Sequence, residues 1–361
     1  MMRVLLYSNG KVTEGLEPSK WAEAAAKPGN VLWIDVVPAR KKSMRQLREV
    51  FKFDAFSVAA TQAPTLLPKL DLFKDYAFLV VHALGYDDAS GEITRRELDM
   101  FLGRGYLVTV QEDRIPEMDK VYKEALKSPE LMERGPDILS HVILDRLIDL
   151  AYEMVSVFDD DIEEMEERIS AGQFDGIVEW QLRVRRALLL MKKSIGPQRD
   201  VLNQLARRES DIITSDGALF FRDLYDRLSR VYDQVDTNRE LTAAAAEAYR
   251  SMVSLKINEA SLRTNAVIER LTLVATVFLP VTAVASWYGM NFEHMPELGY
   301  DWSYPFLFFA MFLLGLWLWY SFREEIQDMR QAERLRFFPS HASAHRKEPA
   351  QGPPVEPEDD D

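Results

Sequence analysis

Hydrophobic and polar positions along the chain fall into three regimes. Up to about residue 135, short apolar runs alternate with polar breaks: RVLLY, VLWIDVV and YAFLVVHALGY read as β-strands, and KKSMRQLREVF as a helix between strands. ITRRELDMFLGRGYLVTVQED alternates, pauses at Gly103-Arg104-Gly105 and resumes, the pattern of a hairpin. From about 137 the period becomes helical, with Leu144, Leu147, Ala151, Met154, Phe158, Ile162, Met165 and Ile169 spaced by three and four. SAGQFDG breaks this seam, and residues 182–205 resume it with Pro197 as an expected kink. After TSDG, Phe221, Leu224, Leu228, Val231 and Val235 open another seam, and no glycine or proline interrupts it before Pro280. One helix of roughly 70 residues would be ~100 Å long at 1.5 Å per residue. It cannot bury its apolar seam alone, so partner helices or further copies of the chain, a homo-oligomer, are expected.

The third regime is apolar throughout. Residues 271–292 and 302–322 carry no charged side chain, and each run meets the roughly 20-residue requirement for a helix crossing a bilayer. Trp287, Tyr288, Trp302, Tyr304 and the aromatics at 317–320 flank them as interfacial belts do. Lys256, Arg263 and Arg270 precede the first run, and Arg323, Arg330, Arg334 and Arg336 follow the second. The loop between has Glu293, Glu297 and Asp301 and no lysine or arginine. The positive-inside bias therefore puts both termini in the cytoplasm and the loop outside, in a multi-pass protein of the cell's plasma (inner) membrane. Two spans cannot enclose a water-filled path, which again calls for several copies.

Composition narrows the function. The 361 residues include 58 acidic and 44 basic side chains, a net charge of −14, which argues against a nucleic-acid partner. Cysteine is absent, removing disulfides and thiolate metal sites. No GxGxxG or GxxxxGK[ST] phosphate loop occurs, and the five histidines form no nucleophile–His–acid pattern, so an enzyme is not expected. MMRVLLYSNGKV has too short an apolar core for a signal peptide. His341 and His345 have i, i+4 spacing, but in a tail too polar to be read as a zinc site. The expected organisation is an α/β domain at 1–135, a long-helix region at 136–265, a membrane domain at 266–325, and a helix end with a disordered acidic tail at 326–361. The fold class is thus an α+β cytoplasmic domain whose long helices continue into a two-span helical membrane domain.

YGMNFEHMPEL (288–298) sits between the two apolar runs. Taken alone, its glycine and asparagine fit an ordinary helix C-cap. Its place at the end of the penultimate span, with MPEL following and a long helix preceding, resembles the signature of the CorA family of divalent-cation channels. FFRDLYD, RLTLVATVFLPVTAVASWYGMNF and RELDMFLGRGYLVTVQE resemble family segments in the family's order. The resemblance implies a CorA-like homopentamer in the lipid bilayer, its first span lining a central pore, with Gly289, Met290 and Asn291 as the selectivity filter. Magnesium dehydrates reluctantly and prefers oxygen ligands, so neutral carbonyl groups of Asn291 that accept hydrogen bonds from its water shell suit passage better than carboxylates that would hold it. Gly289 would expose backbone carbonyls to the same end, while Met290 would pack.

Asn265, Ile268, Leu271, Ala275, Leu279, Thr282 and Ser286 repeat along one face, which the resemblance assigns to the pore. Leu271 and Leu279 would form dewetting constrictions there. Glu293, Glu297 and Asp301, multiplied by several subunits, would gather cations at the outer mouth, and the cluster DDDIEEMEERI at 159–169 would do so inside or be a plain solvated face. The implied function is magnesium uptake, with cobalt or nickel as further cargo, down the electrochemical gradient. A divalent ion gains about 4.6 kcal/mol from a 100 mV inside-negative potential. No cofactor is expected beyond Mg2+ as transported ion and regulatory ligand. The alternatives are a proton-coupled zinc transporter of the ZntB type and a membrane-anchored scaffold or sensor that conducts nothing.

One departure stands out. In many relatives an acidic pair in a leucine-rich stretch faces an aspartate of a neighbour's long helix, and magnesium bound between them holds the channel shut. The long-helix side is present as Asp223 and Asp226, but FDAFSVAATQAPTLLPK places Ala59 and Ala60 where the acidic pair would fall. Asp54 is the nearby substitute ligand. The stretch between FFRDLYD and RTNAVIERL is also about one heptad longer than the family pattern, which adds two turns without rotating the seam.

Overall fold

The computed structural model describes residues 2–87, 92–208, 210–291 and 293–337. Phe292, the expected end of the first span, together with His341, His345 and the acidic tail, lies outside the described residues. The chain divides into two compact units, 1–254 and 255–361.

The first unit is built on one sheet. Strands β1 (Met2–Ser8), β2 (Lys11–Glu14), β3 (Val31–Val36), β4 (Lys69–Leu72), β5 (Tyr76–Asp87), β6 (Glu92–Gly103) and β7 (Tyr106–Gln111) lie in the order β2-β1-β3-β7-β6-β5-β4. β3 and β7 pair in parallel, and the other neighbours are antiparallel. The expected hairpin is the β6–β7 pair, with Leu102 opposite Leu107. Gly105 is required there because a Cβ would strike the carbonyl oxygen of Ala25.

Helices cover both faces. On one side Phe78, Val80 and Phe101 pack with Trp21 of α1 (Trp21–Ala26), with Met44 and Leu47 of α2 (Lys41–Phe51), and with Val58 of α3 (Ala55–Ala60). On the other, Leu79, Val81, Met100 and Leu102 pack with α4 (Pro116–Lys127), Met132 of α5 (Glu130–Glu133), α6 (Pro136–Ser170) and α7 (Ile177–Ala206). Burial from both sides explains why β3 and β5 read as almost unbroken apolar runs. Asp35 is fully buried and fully engaged: its Oδ2 accepts from Arg3 Nη2 at 2.5 Å, and its Oδ1 from Thr109 Oγ1 and Gln111 Nε2, each at 2.7 Å.

The helical seams form as their spacing predicts. Leu144 to Ile169 of α6 and Phe221 to Val235 of α8 (Ser215–Tyr288) are buried in the core shared with the sheet. Pro197 lies inside α7 without ending it. Asp137 at the start of α6 is buried, and its Oδ2 accepts from Thr214 N at 3.0 Å and Thr214 Oγ1 at 2.6 Å, tying that end to the start of α8. Further along, Arg227 bridges Asp145 and Asp149, and Lys192 meets Asp236 at 2.5 Å. α8 has 74 residues, close to the single long helix expected.

The second unit contains the end of α8 and α9 (Ser303–Phe337). Ser215–Tyr288 and Ser303–Ser321 each contain a window long and apolar enough to cross a membrane. The first apolar run extends to 292, but its helix stops at Tyr288, so the Gly-Met-Asn triplet falls in the connection. The second helix starts one residue after Trp302 and continues past 322.

Candidate functional site

α8 closes its last turn on the triplet. Gly289 N donates to Ala285 O at 3.0 Å and Met290 N to Trp287 O at 3.3 Å, while Asn291 stands beyond the helix. All three are exposed in the single chain. Gly289 has no positive φ, and a Cβ on it would meet Ala285 O at 3.4 Å and Ser286 O at 3.5 Å, which is ordinary contact. The left-handed glycine cap that the bare sequence also allowed is therefore not the reason for this glycine. Nothing among the described residues of the single chain demands it.

At 3.6 residues per turn, Asn265, Ile268, Leu271, Ala275, Leu279, Thr282 and Ser286 share one side of α8. Ala275 is half-covered and the other six are exposed. Val277 and Val281, which with Phe308, Phe312, Gly315 and Trp319 of α9 line an apolar cavity of 410 Å³, point roughly 150° away from that side. α9 thus lies against the back of α8 and leaves the predicted stripe bare. Thr282 Oγ1 donates to Phe278 O at 2.7 Å, so its lone pairs face outward as acceptors. That suits the hydrogens of a cation's water shell. Glu293, Glu297 and Asp301 are exposed, with Glu297 beside Tyr288, Tyr300 and Trp302 around a 420 Å³ cavity.

The predicted regulatory residues lie in the first unit. Asp223 and Asp226 are exposed on α8, Ala59 is exposed and Ala60 half-buried on α3. Asp54 caps α3, its Oδ1 accepting from Phe56 N at 2.8 Å, so it is engaged in holding that helix. In the 159–169 cluster, Asp159 accepts from Gln234 at 2.6 Å and Glu164 pairs with Arg168 at 2.9 Å. Burial raises the carboxyl pKa of Asp161, against a hydrogen bond from Trp180. Among the described residues no three His, Asp or Glu side chains converge as a metal cage.

Sequence reasoning passed over one constellation. Arg95, Glu97 and Asp99 occupy alternate positions of β6 on the face that carries Phe101, and Glu97 is paired in register with His82 of β5. Asp99 is 3% exposed and its Oδ1 has no hydrogen-bond partner. Burial, then the charge of Glu97 and a hydrogen bond with it, push the Asp99 pKa up to about 8. Burial lowers His82 to about 4, with Arg95 adding to the effect and the Thr65 carbonyl opposing it. The available signal was a period-two polar row running into a core strand.

Comparison with known proteins bears on the fold and the family. The model of the family described as "CorA-like Mg2+ transporter protein" matches residues 28–324. The cobalt/magnesium transport protein CorA of Thermotoga maritima is 30% identical over 251 residues, 69% of each chain. The zinc transport protein ZntB of an Enterobacter species is 24% identical over 227 residues, 63% of this chain and 66% of that one. Among solved structures, the complete CorA magnesium transporter of Methanocaldococcus jannaschii superposes with a TM-score of 0.64 at 21% identity, covering 90% of this chain and 97% of that one, a likeness of fold. The mixed sheet, the long helix and the two apolar C-terminal helices are the CorA architecture, and the chain belongs to the CorA family of divalent-cation transporters.

Proposed function

We propose that the chain assembles as a homopentameric channel that admits hydrated magnesium through a pore lined by the bare face of α8. Gly289, Met290 and Asn291 form its outer filter. The observation that carries this reading is the opposition of faces. α9 covers the Val277–Val281 side, while the stripe from Asn265 to Ser286 is left uncovered and runs up to the triplet. A uniformly lipid-facing helix has no use for Thr282 and Ser286 on one side, since polar groups in hydrocarbon are costly. Copies brought together on that stripe give it water. Gly289, unneeded by the chain's own fold, then serves the close approach of backbones around an axis. Ring-arranged Asn291 carbonyls accept from the ion's water shell without stripping it, Leu271 and Leu279 narrow the path, and Glu293, Glu297 and Asp301 concentrate cations outside. The basic residues flanking the spans support a plasma-membrane protein with both termini and the α/β unit in the cytoplasm. Cobalt and nickel, hydrated like magnesium, are further cargo.

The test is magnesium flux into liposomes containing the purified full chain. Wild type conducts, and Asn291→Ala assembles normally but loses uptake. Near-normal uptake by that variant would sink the filter. The likeness to ZntB supports a second reading, proton-coupled zinc transport on the same scaffold. Zinc flux that rises with an imposed pH gradient, beside negligible magnesium flux, would establish it.

A further inference from the structure

A cavity of 380 Å³ opens over the polar row of β6, lined by Thr61 to Pro64 after α3, by Arg95, Arg96, Glu97 and Asp99, and by Glu112 and Asp113 after β7. It lies within the α/β unit and involves neither the membrane helices nor Asp223 and Asp226. We propose that this cavity is a cytoplasmic binding site for one hydrated divalent cation, with Asp99 and Glu97 as its carboxylate ligands.

Three observations carry this. First, Asp99 is 3% exposed and lines the cavity, yet its Oδ1 has no partner. A buried carboxyl oxygen left empty costs free energy that a ligand in the cavity would recover. Second, the charge fits: with every group ionised, four acids against two arginines leave the lining at −2. Third, size and coordination agree. Magnesium is usually held by one or two carboxylates and keeps the rest of its octahedral waters, and six waters at ~30 Å³ each fill about half of such a cavity. Two converging carboxylates rather than three thus suit this ion, consistent with the absence of a dehydrating cage among the described residues.

The site reaches the 61–68 segment that joins α3 to β4. Thr65 N donates to Glu97 Oε2 at 2.6 Å, Arg95 Nη1 donates to Leu66 O at 3.1 Å, and His82 Nε2 meets Thr65 O at 3.1 Å. The 61–68 segment is therefore strapped to the sheet by Glu97 and Arg95, which line the cavity, and by His82, so an ion held by Glu97 would steady it. Binding competes with the proton that burial keeps on Asp99. The groups facing them are Lys69 of β4, His82 of β5, Arg95 and Arg96 of β6, and Glu112 and Asp113. Lys69 is itself paired with Asp71 at 2.6 Å, and His82 is neutral above about pH 4.

Hydrogen exchange of the detergent-solubilised full chain tests this, titrating MgCl2 alone as the probe. At magnesium ten times its dissociation constant, exchange of the 61–68 amides slows about tenfold, because the ion binds only the closed strap. The slowing disappears in Asp99→Asn and in Glu97→Gln but persists in Asp223→Ala. Unchanged exchange in the wild type overturns the proposal whatever the variants do, and so does slowing that survives in a folded Asp99→Asn or Glu97→Gln. Because the readout is binding in the α/β unit, it is independent of whether the membrane helices conduct.

Discussion

Asp99 and His82 lie two register positions apart on adjoining strands and respond to pH in opposite senses. Between about pH 4 and 8 the folded chain keeps a proton on Asp99 that the unfolded chain has released, since burial holds its pKa near 8. Stability from this group is therefore lost as pH rises through that window. His82, lowered to about 4 from 6.5, is neutral in the fold while the unfolded chain is charged, so its contribution grows as pH rises between those values. The two oppose each other up to about pH 6.5, above which Asp99 acts alone. We expect the melting temperature of the first unit, in magnesium-free buffer, to fall from pH 6.5 to 8. Asp99→Asn, which keeps the shape without the charge, flattens that fall. Circular dichroism melts across the range check it, and an equal decline in the variant would remove Asp99 as the cause.

At the scale of elements, long helices were the most legible part of the sequence, because Leu144 to Ile169 and Phe221 to Val235 repeat a helical period over many turns and are buried as that period requires. The strands were readable by composition, but β5 is covered on both faces and so shows no alternation that would have flagged the polar row beside it. Helix ends were harder: α8 stops at Tyr288 while its apolar composition runs on to 292, since hydropathy records the membrane and not the hydrogen bonding. The tie between α6 and α8 was invisible for another reason, the contact of Asp137 with Thr214 being 77 residues apart. It rests on close packing, for a Cβ on Gly217 would strike the Asp137 carboxylate. Gly217→Ala should therefore push Asp137 from its two hydrogen bonds to Thr214 and destabilise the first unit by about 1–3 kcal/mol, against the small gain alanine brings to an open helix. Chemical denaturation of the variant measures the sign, and an unchanged or raised midpoint would show that the carboxylate moves aside at no cost.

For the molecule as a whole, the question is how cytoplasmic magnesium acts back on the pathway. A cation bridge between copies needs carboxylates on both sides. This chain offers Asp223 and Asp226, exposed on α8, while α3 presents Ala59 and Ala60. The nearest substitute, Asp54, is occupied by the Phe56 amide that starts α3, and taking it for an ion would uncap that helix, at a cost of about 1 kcal/mol. One or two exposed carboxylates from a single copy hold magnesium weakly, and without a partner across the interface they join nothing. The extra heptad expected in α8 would lengthen the path between such a bridge and the proposed filter while keeping its seam in phase. We expect internal magnesium at millimolar levels to close this channel less completely than it does a typical relative. Flux measured against internal magnesium for wild type and Asp223→Ala decides the matter. Matching, shallow inhibition in wild type and Asp223→Ala is the expected result. Deep inhibition in wild type that vanishes in Asp223→Ala would mean that a bridge forms despite the alanines. Deep inhibition that survives Asp223→Ala but vanishes in Asp99→Asn would move control to the cavity under the 61–68 strap.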